Sequence, residues 1–94
     1  MRFSDMVVGK SGLLVELRCH NSFNEKVYMD ITNYLHQHLP EWKQTGFIPV
    51  ADAVSIFNLI DALSGGSRFW CEEVALRAED ATLEIQEMMG ALDE

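Results

Sequence analysis

The first part of the chain alternates between apolar and polar residues. Every second residue of Leu13–Cys19 is apolar and the residues between are mostly polar, which is typical of a half-buried strand. Phe3–Val8 is the expected partner strand, joined through Gly9–Gly12, whose two glycines suit a short loop. The pattern over Met6–Cys19 therefore predicts an antiparallel β-hairpin.

The middle of the chain changes to the three-and-four spacing of an amphipathic helix. Apolar residues keep this spacing over Phe23–His38, and Ser22 with Glu25 has the separation of a capping box. Because proline lacks a backbone N–H, we expect the helix to stop at Pro40. Glu41–Pro49 is the least regular stretch, and it can hold a short third strand at a sheet edge.

A second helix is predicted over Val50–Leu63, ended by Gly65-Gly66. It is apolar over so much of its circumference that we expect it to be central and covered on two sides. No repeat, low-complexity tract or interdomain linker interrupts the chain, so residues 1–94 are interpreted as one domain.

The last segment is the longest one that follows a single period. Ser67 is a suitable N-cap and Gly90 suits the C′ position, so Arg68–Met89 is predicted as a long helix. One arc of about 100° collects its apolar residues. These are Trp70, Val74, Ala78, Ala81, Ile85, Met88, Met89 and Leu92.

The rest of this helix surface is acidic. It carries Glu72, Glu73, Glu79, Asp80, Glu84 and Glu87. Leu76 and Leu83 project from the middle of the acidic side, seven positions apart, either as ordinary exposed or covered leucines or as a narrow seam for a partner. A hairpin over residues 74–86, turning at Glu79–Ala81, is the alternative structure, although no Gly or Asn is present for the turn. Together the segments predict an α+β fold in which a hairpin packs against three helices.

Composition adds a strong negative charge to this picture. The chain has a net charge of −8 and 48% hydrophobic residues, which is enough to form a core without metal or disulfide support. Residues 67–94 hold eight acids against two arginines, a net −6. Such a surface repels a phosphate backbone and attracts basic proteins, so we expect a basic protein partner and no direct nucleic-acid binding.

No apolar run approaches the ~18 residues of a membrane span, and no signal peptide is recognised, so we expect a cytoplasmic protein. Cys19 and Cys71 are then expected to be reduced and buried.

Motifs for chemistry are weak. Gly9-Lys10-Ser11 resembles the end of a phosphate-binding loop, but the first glycine of that motif is missing and a strand is predicted next. His36 and His38 are two positions apart and cannot share one helix face as metal ligands, and Cys19 and His20 point to opposite faces of their predicted strand. We therefore expect no catalytic, cofactor-binding or metal-binding residues and no enzyme.

The sequence favours a small acidic protein-binding module that inhibits or sequesters a basic partner, as immunity proteins, antitoxins and phage antagonists of host defence do. The predicted partner-binding residues are Glu72, Glu73, Leu76, Glu79, Asp80, Leu83, Glu84 and Glu87. The alternative is a homodimeric structural or adaptor subunit, in which the small residues Ala78 and Ala81 allow two long helices to approach closely.

Overall fold

The computed structural model describes residues 3–10, 12–65 and 70–93, and within these ranges it contains helices and no strand. The helices are α1 (Phe3–Val8), α2 (Leu13–His20), α3 (Glu25–Thr45), α4 (Val50–Gly65) and α5 (Glu72–Gly90), followed by a 3₁₀ turn over Ala91–Asp93. The α+β prediction is therefore wrong, and the described chain is a helical bundle.

The predicted hairpin is a pair of short helices, α1 and α2. Gly9 donates its N–H to the carbonyl oxygen of Asp5 at 2.9 Å, and Gly12 donates to Gly9 at 2.9 Å. A Cβ atom on Gly9 would lie 2.5 Å from the Asp5 oxygen, and one on Gly12 would lie 2.9 Å from it. The two glycines thus allow a close approach of backbone segments between helices.

The burial pattern of α2 shows why its alternation was misleading. Leu13, Leu14 and Leu17 are buried, and this one-and-four spacing belongs to a helix. Val15 is half-buried and Cys19 is exposed, although the alternation assigned both to the core.

The predicted first amphipathic helix is confirmed as α3, but both of its ends differ. Its N-cap is Asn24, whose side chain accepts a hydrogen bond from the N–H of Val27 at 3.1 Å, so the capping box at Ser22 is wrong. The helix continues through Pro40 to Thr45 and ends at Gly46, which has a φ of 78°.

The residues after Pro40 explain this continuation. Pro40 is exposed, so the hydrogen bond that it removes lies on the solvent side of α3, where water can replace it. Trp42, two residues later, is only 4% exposed, and its burial favours another helical turn. The third strand suggested for Glu41–Pro49 is therefore wrong.

The predicted second helix is confirmed as α4, but it is covered on one side only. Ser55, Ile56, Leu59 and Leu63 are its buried residues. Val54 and Phe57, on the other side, are 52% and 69% exposed. The expectation that this helix is covered on two sides is wrong, although α4 is central in that three other helices pack against it.

The last predicted helix is confirmed as one continuous helix, so the hairpin alternative over residues 74–86 is wrong. It begins four residues later than expected, because Trp70 and Cys71 lie outside it and Cys71 is its N-cap. Gly90 is still helical, and the chain continues into the 3₁₀ turn through Ala91 with right-handed φ and ψ. The proposed Ser67 cap lies outside the described residues.

The core forms where the five helices meet. Helix α4 packs against α1, α2 and α5, while α3 packs against α1 and α5. The apolar arc predicted for α5 faces this core. Its fully buried members are Ala78, Ala81 and Ile85, and Trp70, Val74, Met88, Met89 and Leu92 pack around the core as partly buried residues.

Candidate functional site

The eight predicted partner-binding residues lie on α5, outside its buried stripe. We call these residues the acidic face: Glu72, Glu73, Leu76, Glu79, Asp80, Leu83, Glu84 and Glu87. Leu76 is 54% exposed and Leu83 is 64% exposed, so neither leucine is covered by a neighbouring helix. The structure therefore leaves both leucines accessible on the surface that carries the carboxylates.

Helix geometry places carboxylates around both leucines. Leu76 and Leu83 are two turns apart, about 10 Å along the helix axis. Glu79 and Asp80 lie between the two leucines along the helix axis. At 100° per residue, the two acids fall on opposite sides of the line that joins the leucines. Each leucine is thus an apolar side chain with carboxylates around it.

Leu83 separates two surface depressions. Ser64, Glu79 and Thr82 line one of them with Leu83, so this depression lies between α4 and α5. Arg77, Asp80, Glu84 and Glu87 line the other with Leu83. An incoming side chain can therefore contact Leu83 from either side.

Glu84 differs from the other carboxylates of the acidic face because it is engaged within the chain. Its Oε1 atom accepts hydrogen bonds from Arg77 Nη1 and from the Tyr28 hydroxyl, both at 3.0 Å. The guanidinium of Arg77 holds the pKa of the Glu84 carboxyl below its ordinary value. Glu84 therefore joins α5 to α3, a role for which no local sequence pattern is a signal.

The positive charge of Arg77 is likewise held within the chain. Its Nε and Nη2 atoms donate to the two carboxylate oxygens of Glu25, at 2.7 and 3.0 Å. These bonds raise the pKa of the guanidinium above its ordinary value. Arg77 thus remains charged and turned toward α3.

The part of the chain that the structure describes does not hold the other carboxylates of the acidic face in this way. Within the described residues, no salt bridge involves Glu72, Glu73, Glu79, Asp80 or Glu87. Their side chains are exposed. They are therefore available to a positively charged partner.

The cysteines and histidines do not assemble into a site. Cys19 and Cys71 are both exposed, so the expectation of buried thiols is wrong. The Nδ1 atom of His38 lies 3.5 Å from a Glu41 carboxylate oxygen, and the ring of His38 stacks on Trp42 and contacts Tyr34 at a tilt. Among the residues that the structure describes, no group of three or more potential metal ligands comes together.

Sequence reasoning missed an exposed apolar strip that begins just before α4 and continues along it. We call Phe47, Val50, Val54 and Phe57 the α4 strip; all four are large hydrophobic residues on the surface. The spacing of four and three from Val50 to Phe57 was visible in the sequence. The exposure of the strip could not be predicted, because the buried side of α4 is equally apolar. The sequence pattern does not show which of the two sides packs against another helix.

Comparison with protein-family models, with curated proteins and with solved structures gives no match. Across the described ranges, no helix is both long enough and apolar enough to cross a membrane. The surface chemistry of α5 and α4 is therefore the basis for inferring a function.

Proposed function

We propose that the protein is a non-enzymatic protein-binding module that captures a basic partner on the acidic face of α5 and thereby inhibits or sequesters it. The observation that carries this proposal is the exposure of Leu76 and Leu83 in the middle of a carboxylate-rich surface. A protein surface that normally accepts a phosphate backbone is complementary in charge to this face.

Charge would bring the partner to the site. Helix α5 holds six acids and one arginine, a net −5 of the total −8, so the field of the molecule is strongest on the side of α5. Such a field accelerates the encounter with a basic protein and is screened by salt. The association rate is therefore expected to fall as ionic strength rises.

The two leucines would supply most of the affinity. Full burial of one leucine side chain contributes about 1.5–3 kcal/mol, whereas an exposed ion pair contributes about 0–1 kcal/mol. Surrounding polar groups can exclude water from such apolar anchors once the partner is in place. Loss of the leucines should therefore weaken binding more than loss of any single carboxylate.

Helix α5 presents this face on a fixed support. Ala78, Ala81 and Ile85 are fully buried on its opposite side, and Arg77 ties it to Glu25 of α3. A preformed surface spends less conformational entropy on binding than a flexible one. The proposal therefore needs no folding step when the partner binds.

Capture from a cell lysate tests the proposal. Tagged wild-type protein is compared with the double leucine variant Leu76→Ser/Leu83→Ser and with the charge variant Glu79→Gln/Asp80→Asn. The control is Met29→Ser, because Met29 lies on α3 and is 61% exposed. We expect wild type and the control to retain the same basic protein. The double leucine variant should lose it, and the charge variant should release it at lower salt.

Circular dichroism should show unchanged helicity in all these variants, because every altered side chain is exposed. Retention of the same protein by the double leucine variant would contradict the proposed site. Capture of acidic proteins only, or capture that is insensitive to salt, would contradict a basic partner.

A further inference from the structure

We propose that the α4 strip is the surface through which two copies of this chain pair, and that this pairing is independent of the partner proposed for α5. Phe47 is 78% exposed and Val50 is 80% exposed, while Val54 and Phe57 are 52% and 69% exposed. An exposed row of large hydrophobic side chains is typical of an interaction surface.

The three members of the strip that lie on α4 point away from the core. At 100° per residue, Val50, Val54 and Phe57 fall within about 60° of one another. Leu59, which is fully buried, projects from the opposite side of the helix. The four-and-three spacing of the strip is the spacing at which two helices pack side chains between each other.

The low charge of α4 disfavours a basic partner on the α4 strip and leaves little repulsion between two copies that meet there. The segment Val50–Gly65 contains no Lys or Arg and two acids, Asp52 and Asp61. Asp52 accepts a hydrogen bond from the Tyr34 hydroxyl at 2.8 Å and is half-buried. Few charges are therefore available on α4 to attract a basic protein.

Repulsion between copies points the same way. Each copy carries a net −8, with most of it on the side of α5, so two copies repel each other wherever their α5 helices meet. The α4 strip offers apolar contact on a helix that carries only two acids. A second copy is therefore best accommodated on α4.

The exposed area is sufficient for a small dimer interface. An aromatic side chain buries about 150–250 Å², so Phe47 and Phe57 together supply about 300 Å² on each copy. With the two valines, the total for two copies reaches about 1,000 Å², which is the lower end for a specific interface. The resulting dimer would exchange with monomer rather than be permanent.

Asp61 sets the orientation of the two helices. Asp61 follows Phe57 by four residues, so it lies on the same side of α4 as the strip, toward the C-terminal end of the helix. In a parallel pair the two Asp61 carboxylates would meet, whereas in an antiparallel pair each lies toward the Val50 end of the other copy. The pair is therefore antiparallel about a two-fold axis.

The test is sedimentation velocity over a series of protein concentrations, with wild type, Phe57→Glu and Val54→Glu. We expect wild type to shift from monomer to dimer as its concentration rises, and its melting temperature to rise with concentration. Each glutamate variant should weaken the dimer about a hundredfold. Raised salt should strengthen the wild-type dimer, because it screens the repulsion between copies.

Leu76→Ser/Leu83→Ser is the matched control, and it should dimerise like wild type because its changes lie on α5. Far-UV circular dichroism verifies that the glutamate variants remain helical, and Val50→Glu replaces any variant that unfolds. Two results would overturn the proposal: a wild type that stays monomeric throughout the series, or folded glutamate variants that dimerise as wild type does. Neither result bears on capture of a basic partner by α5.

Discussion

Arg77 of α5 and Glu25 of α3 form a two-point ion pair, with Nε 2.7 Å from Oε2 and Nη2 3.0 Å from Oε1. The two residues are 52 positions apart in the sequence. The guanidinium carbon also lies 4.8 Å from the ring centroids of both Phe23 and Tyr28. The pair therefore fixes the first turn of α3 against the helix that carries the acidic face.

Replacement of Arg77 by methionine should destabilise the fold. Arg77→Met keeps an apolar stem but removes the bonds to Glu25 and the contact of the cation with two aromatic rings. We expect the free energy of unfolding to fall by about 1–2 kcal/mol, measured by urea denaturation. Lys43→Met, an exposed control on α3, should change it by less than about 0.5 kcal/mol. Equal unfolding midpoints for the two variants would contradict a stabilising role of Arg77.

Glu84 should contribute to stability at neutral pH and lose this contribution in acid. Arg77 lowers the pKa of the Glu84 carboxyl below its ordinary value of 4.5 in the folded state. The ionised carboxylate therefore stabilises the fold above the unfolded-state pKa, and the effect disappears as pH falls through the lower folded-state pKa.

Thermal unfolding of wild type and Glu84→Gln at a series of pH values checks this expectation. The variant should be less stable than wild type at pH 7, and the difference should shrink below about pH 4.5. A difference that stays constant across this range would show that Glu84 does not act through its charge.

Both tyrosines should resist ionisation in the folded protein. Burial and the hydrogen bond to Asp52 raise the pKa of Tyr34 to about 12, and burial and Glu84 also raise the pKa of Tyr28 above its ordinary value. The chain has 2 tyrosines, so ultraviolet absorbance follows both directly. We expect no tyrosinate signal near pH 10 while the far-UV circular dichroism signal is retained.

The same shift makes stability depend on alkaline pH. Because the pKa of Tyr34 is higher in the folded state, the contribution of its protonated hydroxyl is complete below pH 10 and is lost as pH rises through about 12. Tyr34→Phe should reduce this alkaline loss. A tyrosine that titrates near pH 10 in the folded protein would contradict these contacts.

Gly9 should tolerate no side chain. A Cβ atom there would lie 2.5 Å from a backbone oxygen of Asp5, which cannot move without distorting α1. Gly9→Ala should cost about 1–3 kcal/mol of unfolding free energy, measured by denaturant titration. Gly90→Ala is the matched control, since its Cβ would meet nothing within 4 Å, and it should be neutral or slightly stabilising. Equal stability of the two variants would argue against the close approach of Gly9 to the backbone of α1.

The sequence predicted the long helices because each contains several turns of one period. Helix α5 has 19 residues, so its buried and acidic sides separate clearly on a wheel. Helices α1 and α2 have 6 and 8 residues, which is too short for the helical and alternating patterns to diverge. Leu13 and Leu17 fit both patterns, and the burial of Leu14 together with the exposure of Cys19 distinguishes them.

The acidic face was predicted because its residues lie on one helix, where spacing alone determines direction. The role of Glu84 was not predicted, because it depends on Tyr28, 56 positions away in sequence. The exposure of Phe57 was missed for a similar reason. Which of two apolar sides of α4 is covered depends on the placement of other helices, and no local pattern records it.

Binding through the acidic face is tested by the dissociation constant of the captured basic protein for wild type and for Leu76→Ser/Leu83→Ser, measured by isothermal titration calorimetry at low and high salt. If the leucines anchor the partner and the carboxylates steer it, the variant should bind at least about a hundredfold more weakly. Its affinity should fall with salt as steeply as that of wild type, because its charge is unchanged. An unchanged dissociation constant in a folded variant would contradict binding through the acidic face of α5.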